Sequence, residues 1–141
     1  MTDVHSVQIR SYNMSRIKSK NTKPEILVRK FLFAHGLRYK LHDNTLPGKP
    51  DLVFPRYRKV VFINGCFWHG HKGCKYSTIP KTRTTWWLEK ITKNMENDSK
   101  VIHSLKQLHW DVIIVWGCQL KGVTKKKTLK NLLDKIKDNI F

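Results

Sequence analysis

Cys66, His71 and Cys74 stand in a Cys-x4-His-x2-Cys spacing that offers three soft ligands to a zinc ion. A closed structural site needs a fourth, and Cys118, two residues past a predicted strand, can meet a loop that follows another strand. That would make a Cys3His site. The competing reading is a buried, small Cys118 with Cys66 and Cys74 merely close in sequence. Three cysteines cannot all pair within one chain, so thiols or thiolate ligands are expected rather than a disulfide framework. If zinc holds the loop, His69 is left over, an imidazole suited to accepting a proton near neutral pH. Its neighbours Phe67 and Trp68 have few places to be buried in a loop pinned at Cys66 and His71, so both are expected to face a ligand rather than a core.

The second chemical signal is Pro50-Asp51 at the start of a predicted strand. An aspartate there often only closes a turn, but a strongly basic chain needs a reason to keep an acid in its middle. Mg2+ takes one or two carboxylates, carbonyl oxygens, water and phosphate oxygens, and would stabilise charge on a phosphodiester under in-line attack. Asp51 and a carbonyl of the following strand could hold it, and His69 could take the proton of the attacking water. Glu25 has two readings: the capping-box carboxylate of Thr22-Lys-Pro-Glu25, which base rates favour, or a group that orients water or histidine.

These residues need a scaffold of modest size. The 141 residues fit one domain with a real core, and 28 Lys and Arg against 10 Asp and Glu leave a net charge of +18. A polyanion, nucleic acid above all, is the expected partner. No segment approaches the roughly 20 consecutive apolar residues of a spanning helix, and the polar start of the chain does not read as a signal peptide, so no membrane partner and a cytoplasmic location are expected.

Residues 1–21 read as a basic arm, with Met14 either a wedge for a groove or the packing face of a short helix. Residues 22–141 read as a single domain. A helix from Thr22 to a stop at Gly36 directs Ile26, Leu27, Phe31, Leu32 and Ala34 inward. Strands follow at Leu37 to His42, Asp51 to Phe54 and Lys59 to Asn64. A long helix from about Trp86 to Leu108 places Leu88, Ile91, Met95, Ile102, Leu105 and Leu108 on a stripe facing the sheet, with Asp98 on the same stripe, partly buried and paired. A strand at Asp111 to Trp116 and a basic amphipathic helix from Thr124 to Phe141 complete an α-β-β-β-α-β-α order.

Four blocks carry a family resemblance: Leu46-Pro-Gly-Lys-Pro-Asp51, Gly65-Cys-Phe-Trp-His69, the run from Thr82 to Asn94 and Val115-Trp-Gly-Cys118. From about Asn13 to Leu120 the chain resembles the very short patch repair endonucleases, which nick the T-bearing strand of a T:G mismatch left by 5-methylcytosine deamination. The resemblance implies an α/β fold with a restriction-endonuclease-like, PD-(D/E)xK-type core, a mixed sheet flanked by helices, and a structural zinc. It implies Asp51 as the Mg2+-binding carboxylate, Ile63 as a backbone-carbonyl ligand, His69 as the catalytic histidine and Glu25 as its supporting carboxylate. Cys66, His71, Cys74 and Cys118 would hold Zn2+, and Met14, Phe67, Trp68 and Trp86 would enter the duplex. Ile63 stands where the family more often has Thr, and Asn64 where a second histidine is common.

The expected protein is thus a monomeric, nucleoid-associated bacterial endonuclease acting on mismatched double-stranded DNA, with mismatch-repair proteins as candidate partners. The alternatives are a non-catalytic zinc-containing nucleic-acid-binding module, for which the charge and aromatics would suffice, and a restriction-type endonuclease on matched DNA.

Overall fold

The computed structural model describes residues 22–138; the 1–21 arm with Met14, and Ile140 at the far end, lie outside them. Helix α1 (Lys23–Ala34) begins where Thr22 Oγ1 accepts the Glu25 N–H and Pro24 sits in the first turn. Three antiparallel-linked strands follow, β1 (Lys40–Leu41), β2 (Leu52–Phe54) and β3 (Lys59–Asn64). Helix α2 (Thr84–Gln107), strand β4 (Asp111–Trp116) and helix α3 (Lys125–Lys137) complete the chain. The sheet order is β1-β2-β3-β4, with β4 parallel to β3, so the sheet is mixed.

Period-two alternation along the strands builds two cores. Leu52, Phe54, Val61 and Val115 point to one face, against Val28 and Leu32 of α1 and Leu129, Leu132 and Ile136 of α3. Val53 and Val60 point to the other, against Leu105 and Trp110 at the end of α2. The result is a helix/sheet/helix layering, the flanked mixed sheet expected of an α/β nuclease-like fold. Lys59, buried at the start of β3, donates its ammonium to the carbonyls of Lys135 and Asp138 and ties α3 to the sheet.

Several expectations need correcting. The first strand is only Lys40–Leu41, because His42 adopts a left-handed backbone (φ 47°) that ends it. In α1 the fully buried residues are Glu25, Val28 and Leu32, Leu27 and Phe31 pack partly buried against the same core as expected, and Ala34 is exposed. The α2 stripe does not face the sheet along its length: Leu88 and Leu108 are 48% and 49% exposed. The reason is length. A helix of 24 residues runs for about 36 Å, whereas six-residue strands span about 20 Å, so the helix overhangs the sheet. No helix among the described residues is long and apolar enough to cross a membrane.

Candidate active site

The overhanging half of α2 is covered by the loop that leaves β3. Trp87, Ile91, Asn94, Met95 and Asp98, at helical steps of three and four, meet residues 67–70. Asn94 Nδ2 donates to the Trp68 carbonyl (2.9 Å). Gly70 has φ +61°, and a Cβ there would come within 2.6 Å of Met95 Sδ and 2.9 Å of Ile91 Cγ2, so only glycine lets the loop lie this close. The expectation that Asp98 is half-buried and paired holds: its Oδ2 lies 2.6 Å from His69 Nδ1. With Nδ1–H donating to that carboxylate, Nε2 is the acceptor edge of the ring.

Across an open cleft lined by His42, Asn44, Gly48, Lys49, Asp51, Ile63, Asn64 and His69 stand the acids. Asp51 Oδ2 accepts the Ile63 N–H (2.7 Å), which brings the main chain of β3 against the carboxylate and makes the Ile63 side chain incidental to that contact. Burial pushes the Asp51 carboxyl up to about 6; the Ile63 amide opposes that shift, nearby Glu25 adds to it, and His42 opposes it. Glu25 is not the capping-box carboxylate that base rates favoured. It is 2% exposed, and its Oε2 accepts from Arg29 Nη1 (3.0 Å) and His42 Nε2 (2.8 Å). Glu25, His42 and Asp51 each place a donor atom within 4.8 Å of the others, a cluster that could hold a cation. Oxygen-rich and open to a cleft, it suits a hard divalent ion.

Cys66, His71, Cys74 and Cys118 form the second cluster, their ligand atoms likewise within 4.8 Å of one another. Three sulfurs and a nitrogen at such spacing fit tetrahedral zinc. His71 Nδ1 is 3.5 Å from Cys118 Sγ, and its ring stacks on Trp116 at 4.1 Å and 5°, which fixes the edge it presents. The Cys118 N–H donates to Cys66 Sγ (3.4 Å). Burial, with the adjoining Cys66 and Cys74 thiols, pushes the Cys118 thiol up to about 11, while the Tyr76 amide lowers that of Cys74.

Phe67 and Trp68 are half-buried rather than free. Phe67 meets Trp68 (5.3 Å) and Trp87 (5.2 Å), and Trp68 meets Trp87 (5.7 Å). Trp86, 44% exposed, packs edge-on to Trp87 (4.7 Å) under the Arg83 guanidinium. The hub is therefore Trp87, which sequence reasoning passed over in favour of its neighbour. His42 was missed as well, since a lone histidine at a strand end carries no pattern. Asp98 had its pairing foreseen but not its partner. Asn64, at the end of β3, is buried and lines both the cleft and a small cavity shared with Asp98.

A family model described as DNA mismatch endonuclease Vsr matches residues 2–75 of the 141. The type II nicking enzyme V.NmeAIP of Neisseria meningitidis is 49% identical over 141 residues, covering 99% of this chain and all of that protein. V.XorIIP of Xanthomonas oryzae, also named a type II nicking enzyme, is 44% identical over 95% of this chain and 98% of its own length. The DNA mismatch endonuclease Vsr of Escherichia coli is 46% identical over 125 residues, 89% of this chain and 80% of the relative. With a family match over half its length and such relatives along nearly all of it, the chain belongs to the DNA mismatch endonuclease Vsr family.

Proposed function

We propose that this endonuclease nicks the T-bearing strand of double-stranded DNA at T:G mismatches arising from 5-methylcytosine deamination, acting in the bacterial cytoplasm on nucleoid DNA. The observation that carries the reading is a single cleft lined by both Asp51 and His69, with the buried Glu25 beside Asp51 and Asp98 hydrogen-bonded to His69. A hydrolytic nick needs a water deprotonated as it attacks phosphorus and charge stabilised on the phosphoryl oxygens. One P–O ester bond to a sugar is broken, and the leaving oxygen takes a proton from solvent. His69 Nε2 accepts the proton, and Asp98 holds the ring in the tautomer that can do so. Asp51, the Ile63 carbonyl and Glu25 would hold a magnesium ion, which would supply Lewis-acid stabilisation of the phosphoryl charge. Cys66, His71, Cys74 and Cys118 would hold a structural zinc, which would brace the loop.

Phe67, Trp68 and Trp86, packed on Trp87, enter the duplex beside the mismatch together with Met14 from the 1–21 arm. A mispaired step is already poorly stacked, so opening it costs less than the few kcal/mol, approximately, of unstacking a normal one. The net charge of +18 supplies sequence-independent phosphate attraction. The protein works as a monomer, with mismatch-repair proteins as candidate partners.

A second reading, nicking at matched sites, draws support from the names of the nicking-enzyme relatives. Duplexes identical but for one T:G pair, incubated with Mg2+, separate the two. A nick confined to the T strand of the mismatched duplex, and lost in Asp51→Ala and His69→Ala, is the expected result. Equal cutting of the matched duplex would favour the second reading, and binding without any nick would refute the first.

A further inference from the structure

His42 has no part in the chemistry above, yet its backbone is held at φ 47°, a left-handed conformation that is strained for a non-glycine residue. Its N–H donates to the Asp51 carbonyl (3.2 Å), where β1 gives way to the turn before β2. From that position the imidazole, mostly buried, puts Nε2 2.8 Å from Glu25 Oε2. One residue thus touches the Asp51 main chain through its backbone and the Glu25 carboxylate through its side chain. Arg29 reaches the same Glu25 oxygen from the next helical turn, but it shares α1 with Glu25 and cannot link that helix to the sheet.

We propose that His42 is a positioning residue for the metal seat: its Nε2–H donates to Glu25 Oε2 and fixes that carboxylate beside Asp51, without touching the ion itself. At 2.8 Å from a carboxylate oxygen the nitrogen sits where an N–H donor belongs, whereas a bare lone pair facing that oxygen would be repelled. Magnesium also favours oxygen over imidazole nitrogen. The inference rests on the metal-dependent reading above.

Its test is Mn2+ binding to the intact chain without DNA, followed by electron paramagnetic resonance, so that nicking is not the readout. Partners behind a metal's ligands typically matter by about 10- to 100-fold in affinity. His42→Leu is therefore expected to weaken Mn2+ binding at least about tenfold. His42→Gln, which keeps an N–H of comparable reach, is expected to bind close to wild type, and metal-free DNA affinity to be the same in all three. Should the leucine variant fail to fold, His42→Asn, too short to reach Glu25, serves in its place. Unchanged binding in His42→Leu, a glutamine variant as weak as leucine, or nitrogen hyperfine coupling on wild-type-bound Mn2+ would each overturn the positioning role. Absence of Mn2+ binding in the wild type itself would instead overturn the metal seat on which it rests.

Discussion

His69 Nδ1 and Asp98 Oδ2 lie 2.6 Å apart, one on a loop and the other on a helix that meet only because Gly70 lets them. An aspartate so placed selects the tautomer in which Nε2 can accept a proton. Asp98→Asn keeps the shape and loses that selection, so single-turnover nicking is expected to fall by about 10²- to 10⁴-fold with DNA affinity retained. Nicking at the wild-type rate would remove Asp98 from the mechanism.

Gly70→Ala tests the contact between loop and helix. The added methyl must displace Met95 and Ile91 and strain a backbone at φ +61°, so a loss of about 1–3 kcal/mol in stability is expected on chemical denaturation. Nicking should fall further than stability alone explains, since His69 moves with the loop.

The Asp51 carboxyl, ordinarily near 3.8, is raised to about 6 by burial. A raised acid is held in its protonated form by the fold, so its contribution is favourable below about pH 4. That contribution is lost as pH climbs to about 6, a change of about 3 kcal/mol for a shift of this size. Without divalent ions, the wild type should lose stability between pH 4 and 6.5 relative to Asp51→Asn, measured by urea denaturation. Parallel pH profiles of the two proteins would contradict the shift.

Zinc bound by Cys118 must displace a proton from a thiol raised to about 11. Calorimetry in buffers of different ionisation enthalpy should record protons released on zinc binding. Cys118→Ser should lose the metal and lower the melting temperature. A metal-free wild type of undiminished stability would dispose of the site.

Trp87 supports both Phe67 and Trp68, so Trp87→Ala should reduce the preference for mismatched over matched duplex as much as Trp68→Ala does. Affinity for matched DNA should change little, because phosphate contacts carry it. An equal loss on both duplexes would mean that the ring cluster serves only the fold.

Much of the scaffold was legible because short strands with β-branched runs announce themselves: Lys59–Asn64 and Asp111–Trp116 match the expected bounds. Bringing Cys118 to the loop cysteines followed from the same strands, since β3 and β4 are parallel neighbours and both lead into the cluster. Periodicity could not say what the α2 stripe faces, because a helix stripe records burial and not the identity of the cover. Ile91 and Met95 therefore looked like sheet contacts while they hold the loop. His42 was illegible for a related reason, and Glu25 kept two readings: what joins them is a contact across seventeen residues of sequence.

The overhang of α2 has a further meaning under the proposed function. Trp87 and Asp98 ride on the same helix eleven residues apart, or about 16 Å along its axis. Hydrogen-bonded turns do not stretch as loops do, so the point where rings part the duplex and the bond that is broken sit at the two marks of a fixed gauge. Shifting the nick by one nucleotide would call for residues added to the helix, not for a remodelled surface.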